Sequence, residues 1–283
     1  MQSRKASKLP VDPGPAGWNE ILPPPGPARE LEGDVTADWL VIGAGFAGLA
    51  AARRLQQLCP DDRIVVLEAG RVGEGPAGRN SGFMVDLPHD LDSDTYAGAA
   101  EADREQIRLN RAAIGFAGDA ARACGLEGTA FQLRGKHNAA ATPAGVGHLD
   151  DYAQHLDGLG ERYERLDAAD MKRLTGLDYY RAGLLTPGTA ILQPAAFVRG
   201  LAQGLVAEGV TLHEHSPVTQ LDLGPDHVAH TPKGRVTAPK IVLGVNGHAE
   251  SFGFFRRRLM HVFSYASMTR ELTPAEVARL GGE

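Results

Sequence analysis

Two short apolar runs, DWLVI at 38–42 and RIVVLE at 63–68, flank a glycine-rich turn and an apolar helix pattern. This arrangement constrains the fold more than any other feature of the chain. Each run is the length of a strand and carries apolar residues in succession, as a strand buried on both faces does. Between them, Gly43-Ala44-Gly45-Phe46-Ala47-Gly48 opens a stretch in which Leu49, Ala52, Leu55 and Leu58 recur every third residue on one helix face, until Pro60-Asp61-Asp62 breaks it. Strand, helix and strand in about 30 residues make one βαβ unit. In such a unit the three glycines have separate tasks. Gly43 permits the tight turn, Gly45 lets a pyrophosphate approach the backbone, and Gly48 lets helix and strand pack closely. The helix N-terminus turns unpaired N–H groups toward the phosphates. Glu68 stands twenty residues beyond Gly48, at the end of the second strand, where a carboxylate accepts hydrogen bonds from a ribose. A G-x-G-x-x-G string alone is weak, and its glycines can serve packing in another βαβ fold. The full context reads as a dinucleotide fingerprint.

The next stretch bears on which dinucleotide. A nicotinamide-binding unit continues into another helix and strand. Here AGRVGEGPAGRNSGF, 69–83, has no apolar periodicity. A glycine-rich loop can lay backbone N–H groups along an extended ligand; the plain alternative is a flexible surface loop.

Elsewhere the chain mixes helix and strand signals. Residues 1–34 read as a Pro/Gly-rich extension, with Pro23-Pro24-Pro25 opposing both helix and central strand and Trp18 available to pin it to the body. Order is expected from Ala37. A long helix is expected over 97–124, two short strands from Ala130, and helices over 148–159 and 168–174. Pro194 to Gly209 shows proline near a helix start and glycine past its end. VTLHEHSPVTQLDL, HVAHT and RVTA read as an up-and-down set of strands, and KIVLGVNG as a buried strand ending in small residues.

A net charge of −6 and a pI near 5.9 leave no electrostatic footprint for nucleic acid. The apolar run 40–52 is too short and glycine-rich to span a bilayer. The N-terminus lacks the apolar run of a secretory signal, and Cys59 and Cys124 show no metal or dithiol spacing. Together these imply a cytoplasmic protein without an integral membrane segment. The basic run Arg256-Arg257-Arg258 reads as a solvated turn.

VIGAGFAGLAAARRL followed by VLEAGRVGEGPAGRNSGF resembles the D-amino-acid oxidase superfamily of flavoproteins, in the branch with glycine oxidase, D-amino-acid dehydrogenase and gamma-glutamylputrescine oxidase. QPAAFVRGLAQGLVAEGVTLHEHSPVTQL, GRVTAPKIVLGVNGHA and VFSYASMTREL are similar to later segments of that family, less specifically. The resemblance runs from about Asp38 onward. It implies an α/β chain, α+β overall, with a Rossmann-like FAD-binding domain (35–90 plus 190–250) and an interleaved, incomplete substrate domain (91–189 plus 251–283). By position, Gly43, Gly45, Phe46, Ala47 and Gly48 would cradle the pyrophosphate, and Glu68 and Ala69 would meet the adenosine ribose. Gly78, Arg79, Asn80, Ser81 and Gly82 would follow the dinucleotide toward the flavin. Phe83 and Met84 would lie near the isoalloxazine, and the Val218 backbone would meet adenine. No cysteine sits where some relatives attach flavin, so FAD is expected to be non-covalent. The family continues beyond the segments matched here, so a C-terminally incomplete chain is expected, with exposed strand edges near 263–269.

The implied reaction is oxidation of the C–N bond of an amine or amino acid by hydride transfer to flavin, with the resulting imine hydrolysed by water. It needs no dedicated protein base, and no catalytic residue is assigned. An NAD-dependent dehydrogenase would leave Gly70–Gly82 unexplained; a non-catalytic nucleotide-binding fragment is the other rival. Among the histidines, His213 and His215 alternate as if on one strand face without a third metal ligand. His89, His261 and Tyr265 are secondary candidates for acid–base roles. No Gly-x-Ser-x-Gly elbow supports a hydrolase.

Overall fold

A computed structural model describes residues 2–11, 14–88, 100–262 and 265–280. In chain order its strands are β1 (Gln2–Lys5), β2 (Gly33–Thr36), β3 (Trp39–Ile42), β4 (Ile64–Leu67), β5 (Phe83–Met84), β6 (Phe131–Leu133), β7 (Lys136–Ala140), β8 (Glu164–Leu166), β9 (Ala182–Thr186), β10 (Ala190–Leu192), β11 (Thr211–His213), β12 (Gln220–Leu223), β13 (His227–His230), β14 (Gly234–Ala238) and β15 (Lys240–Leu243). The helices are α1 (Gly17–Glu20), α2 (Phe46–Leu58), α3 (Ala100–Ala123), α4 (Pro143–Leu159), α5 (Ala168–Thr175), α6 (Pro194–Ala207) and α7 (Pro274–Arg279). The fold is mixed α/β, and the chain divides into two units: Met1–Ser81, Ala121–Leu126 and Gln193–Ala266 form the first, and Gly82–Ala120, Glu127–Leu192 and Ser267–Glu283 the second.

The first unit is built on a parallel sheet of order β11-β4-β3-β15. All four residues of β4 are buried, the signature of a strand covered on both faces. On one face α2 packs with Leu49 and Ala52 buried. On the other, Leu40, Ile42, Val65 and Leu67 share a core with Leu221, Ala229, Val236 and Ala238 of a second sheet, of order β1-β12-β13-β14-β2. Helix α6 buries Ala195, Val198, Leu201, Ala202 and Leu205.

The structure revises three expectations from the sequence. The N-terminal segment is not free of strand, because β1 pairs antiparallel with β12 and β2 parallel with β14, forming both edges of the second sheet. Both strands are mostly exposed and carry charge. Edge strands need hydrogen bonds on one side only and tolerate charge, so no apolar pattern marked them. The proline-rich run between them has no regular element. Second, β11 is not part of the up-and-down set: it joins β4 in parallel, Leu212 opposite Val66. Third, His213 and His215 do not share a strand face, since His213 is buried whereas His215 lies past the strand, exposed, with φ +48°. The described part of 261–271 contains no strand.

The second unit holds two antiparallel sheets, β7-β9-β8 and β5-β10-β6. Its core comprises Leu87, Ile107, Tyr152, Ala153, Leu156 and Leu184. Helix α4 is capped by Thr142, whose side chain accepts from Gly145 N, and starts at Pro143, five residues before the expected start. Helix α5 has a reciprocal capping box between Asp167 and Asp170. A polar cluster lies inside this unit. Asp86, fully buried, accepts from Thr189 Oγ1 at 3.2 Å and from Arg111, which also pairs with Glu161. A Cβ at Gly188 would sit 1.9 Å from Asp86 Oδ2, so a larger residue there would displace the Asp86 carboxylate.

Among the described residues, the Tyr152 hydroxyl and Lys136 Nζ are buried without hydrogen-bond partners. Burial, helped by the charge of Asp86, pushes the Tyr152 phenol up to about 12. An orphaned buried hydroxyl costs about 1–3 kcal/mol, so Tyr152→Phe should leave stability unchanged or raise it by about 1 kcal/mol at neutral pH. A folded pKa raised above the ordinary value near 10 means that the neutral phenol's contribution is complete below pH ~10 and is lost as pH rises toward ~12. The variant's advantage should therefore widen across that window. Denaturant melts of parent and variant at pH 7 and pH 11 test this; destabilisation by more than about 1 kcal/mol at neutral pH would contradict it.

Candidate dinucleotide site

The turn after β3 is held by three glycines in contact. Gly43 has φ +97° and donates its N–H to Leu67 O at 2.8 Å; a Cβ there would lie 2.6 Å from Gly244 O. A Cβ at Gly48 would lie 1.8 Å from Gly43 O, and one at Gly244, just past β15, would lie 3.0 Å from Gly48. These positions are glycine because the fold itself leaves no room. Gly45 differs. Its φ is −85°, which any residue adopts, and a Cβ would meet nothing nearer than Ala77 Cβ at 3.5 Å, ordinary contact. The ligand-free fold does not require glycine at 45, and the space beside it is a cradle that a side chain would enter.

Gly45 is also the N-cap of α2, without a side-chain cap and without an acidic residue in the first turn. The amides of Phe46, Ala47 and Gly48 have no intrahelical acceptor, and the helix dipole adds partial positive charge there. This is the donor set a pyrophosphate needs.

Glu68 follows β4 and joins this turn to the next loop. Its Oε2 accepts from Ala44 N at 2.8 Å and its Oε1 from Gly70 N at 3.1 Å. Its backbone is fixed on both sides, with Glu68 N donating to His213 O and Ser216 N donating to Glu68 O, both at 2.8 Å. Ala69, beside it, is half-buried. Val218 is 6% exposed, its side chain committed to the core with Leu67, which leaves only its backbone for a ligand.

The loop 69–81 contains a 3-10 turn, Pro76–Gly78, and a Cβ at Gly78 would lie 1.8 Å from Gly73 O. The side chains of Arg79 and Asn80 turn back into the protein. Arg79 donates to Glu74 O and Gly14 O, and Asn80 Nδ2 to Ala77 O at 2.8 Å. Ser81 is exposed. All these residues belong to the first unit; Gly82, Phe83 and Met84 belong to the second. There Gly82, with φ +80°, accepts from Leu192 N at 2.8 Å, and Phe83 and Met84 pair with Ile191 and Ala190 of β10, Phe83 being 57% exposed.

Sequence reasoning did not single out Gly244, Gln193, Glu214 or Ser216. The only available signal was the run of small residues closing KIVLGVNG. Glu214 Oε1 accepts from Val72 N at 2.8 Å, a long-range support that no spacing announces.

The other candidates fall elsewhere. His213 is buried and burial pushes its pKa down, so it is neutral at physiological pH. His261 lies 3.3 Å from Glu250, and Tyr265 is 97% exposed. His89 lies outside the described residues. Cys59 and Cys124 are free and partly buried, and burial pushes the Cys124 thiol up. Among the described residues no His, Cys, Asp or Glu cluster could hold a metal ion, and no helix is long and apolar enough to cross a membrane.

The sequence profile of the DAO family, described as FAD dependent oxidoreductase, matches residues 38–282. The chain is 26% identical to the probable oxidoreductase OrdL of Rhizobium meliloti (strain 1021), over 84% of this chain and 56% of that protein. It is 27% identical to gamma-glutamylputrescine oxidoreductase of Escherichia coli (strain K12), over 78% and 52%. The chain thus spans about half the length of the curated relatives it matches. In structure it is similar to glycine oxidase from Geobacillus kaustophilus, with a TM-score of 0.63 at 19% identity over 77% of this chain and 58% of that one. It is also similar to L-amino acid deaminase from Proteus myxofaciens, with a TM-score of 0.61 at 16% identity over 77% and 47%.

The glycine geometry separates folding from binding. Gly48→Ala should destabilise the ligand-free protein by about 1–3 kcal/mol or more, because its Cβ overlaps a carbonyl. Gly45→Ala should leave ligand-free stability within about 0.5 kcal/mol yet weaken FAD binding at least about tenfold, the equivalent of about 1.4 kcal/mol. Denaturant melts and FAD titrations of both variants check this. Equal FAD affinity for Gly45→Ala and the parent would displace the phosphates from this turn.

Proposed function

As the chain belongs to the DAO family of FAD dependent oxidoreductases, we propose that it forms the FAD-binding part of an enzyme that oxidises the C–N bond of an amine or amino acid. The observation that carries the cofactor assignment is the cradle at Gly45, glycine where the fold does not demand it, facing a helix N-terminus without a cap. The substrate class is supported by the relatives' names, a gamma-glutamylputrescine oxidoreductase among the sequences and a glycine oxidase and an amino acid deaminase among the structures. The substrate is a small molecule.

When bound, FAD supplies the two-electron acceptor for a hydride leaving the carbon beside the amine nitrogen. The chain's own residues bind and orient. The first-turn amides of α2 take the pyrophosphate. Glu68 keeps Ala44 and Gly70 in register and offers its carboxylate to the ribose. Gly78 to Ser81 carry the ligand onward. The Val218 backbone serves adenine. Neither cysteine lies in these segments, which supports non-covalent attachment.

Protein reconstituted with FAD should show a bound-flavin absorbance spectrum, and acid precipitation should leave the flavin in the supernatant; flavin retained in the pellet would exclude non-covalent binding. Anaerobic mixing with a panel of amines and amino acids should bleach the flavin for at least one of them. If nicotinamide dinucleotide binds and FAD does not, the reading fails. Glu68→Gln should weaken rather than abolish FAD binding, by about 1.5–3 kcal/mol, since one charge-assisted bond is lost and an acceptor remains.

A further inference from the structure

We propose that Trp18 and Asn19, on the N-terminal arm, are positioning residues that strap the loop 69–81 and thereby set its affinity for FAD. This rests on the cofactor reading above. The arm precedes residue 38, where the match to the family profile begins.

The loop's internal bonds are short-range, such as Glu74 N to Arg71 O, Gly78 N to Gly75 O and Asn80 Nδ2 to Ala77 O, and order it turn by turn. It carries glycines at 70, 73, 75 and 78, and Val72 is its buried large apolar side chain. Glycine-rich backbone is costly to order, and a loop ordered only on binding subtracts that cost from affinity. Glu68 and Glu214 tie the start of the loop through Gly70 N and Val72 N, and the arm ties the rest. Trp18 Nε1 donates to Asn80 O at 2.9 Å, and Asn19 Nδ2 donates to Gly73 O at 2.8 Å. The loop reciprocates, with Arg71 donating to Gly26 O at 2.5 Å and Arg79 to Gly14 O. Both loop guanidinium groups thus hold arm carbonyls.

The arm is itself anchored to α6. Gln193 caps that helix by accepting from Ala196 N at 2.7 Å, and with its amide nitrogen donates to Trp18 O at 2.8 Å. Arg199 of α6 donates to Pro23 O at 2.7 Å and to Asn19 Oδ1 at 3.4 Å. Trp18 and Asn19 therefore sit between a rigid helix and the loop. Their effect on the loop is directional. A trans peptide points its C=O and N–H in opposite senses. Holding Asn80 O on Trp18 therefore turns the Ser81 N–H away from the arm, whereas the amide behind Gly73 O, Glu74 N–H, donates to Arg71 O at 3.1 Å within the loop. The strap thus selects which way the 80–81 peptide unit faces before any ligand arrives.

The test compares the full chain with Trp18→Phe, with Trp18→Phe/Asn19→Ala, and with Glu20→Ala, an exposed arm position, as control. Two measurements are made: FAD affinity by titration, and amide hydrogen exchange over residues 73–81 in the ligand-free protein. The double variant should bind FAD about tenfold more weakly and exchange faster across the loop, with unchanged far-UV circular dichroism and with the control matching the parent. FAD affinity within about twofold of the parent, with loop exchange unaltered, overturns the proposal. Should the double variant lose its circular dichroism signal, Trp18→Phe alone decides by the same two readouts. A parent that takes up no FAD defeats the cofactor reading, whereas exchange in the ligand-free protein still decides the strap.

Discussion

The close approach of Gly43, Gly48 and Gly244 is the constraint on which the candidate site depends. At this point the turn after β3, the first turn of α2 and the end of β15 meet with no space for a Cβ. Their proximity sets the angle at which α2 leaves the sheet, and so where its unpaired amides point. Because backbone contacts backbone, the geometry is stiff, and interiors packed at this density do not yield by small shifts. Gly45, one residue before the helix, is exempt from this crowding. That exemption separates a glycine the fold needs from one the ligand-free fold does not need.

A second layer of control comes from polar groups that bridge segments distant in sequence. Glu68 ties the first turn to the following loop, Glu214 reaches Val72 N, and Ser216 Oγ accepts from Leu31 N at 2.9 Å. These bonds are directed at backbone, and all but that from Gly70 N to Glu68 are long-range. Each fixes a peptide orientation rather than adding core. The N-terminal arm belongs to the same layer: it contributes both edge strands of the second sheet and runs along the glycine-rich loop between them. A segment with almost no apolar pattern therefore still has a defined path.

The second unit follows other rules. Its interior carries Asp86, held by Arg111 and Thr189, and Lys136 Nζ, buried without a partner among the described residues, whose pKa burial pushes down. Burial disfavours the charged form of such a group, and the charge of Asp86 partly opposes that for Lys136.

The sequence by itself determined the βαβ unit and the glycine turn that opens α2. Both are local: apolar runs, helical periodicity and glycine spacing lie within some thirty consecutive residues, so adjacent side chains specify them. It also marked β12–β15 and the helices α2 to α6, whose periodicity and caps are short-range, but not the short α1 and α7. It did not determine that β11 pairs with β4, that the first residues form edge strands, or that His213 and His215 part company. Those outcomes depend on which exposed backbone edge lies nearby once the chain is folded, and edge pairing leaves no period in the side chains. Nor did it separate the task of Gly45 from those of Gly43 and Gly48. All three read alike as letters. Only the packed structure shows which of them a carbonyl would strike, because that distance depends on Gly244, almost two hundred residues further along the chain.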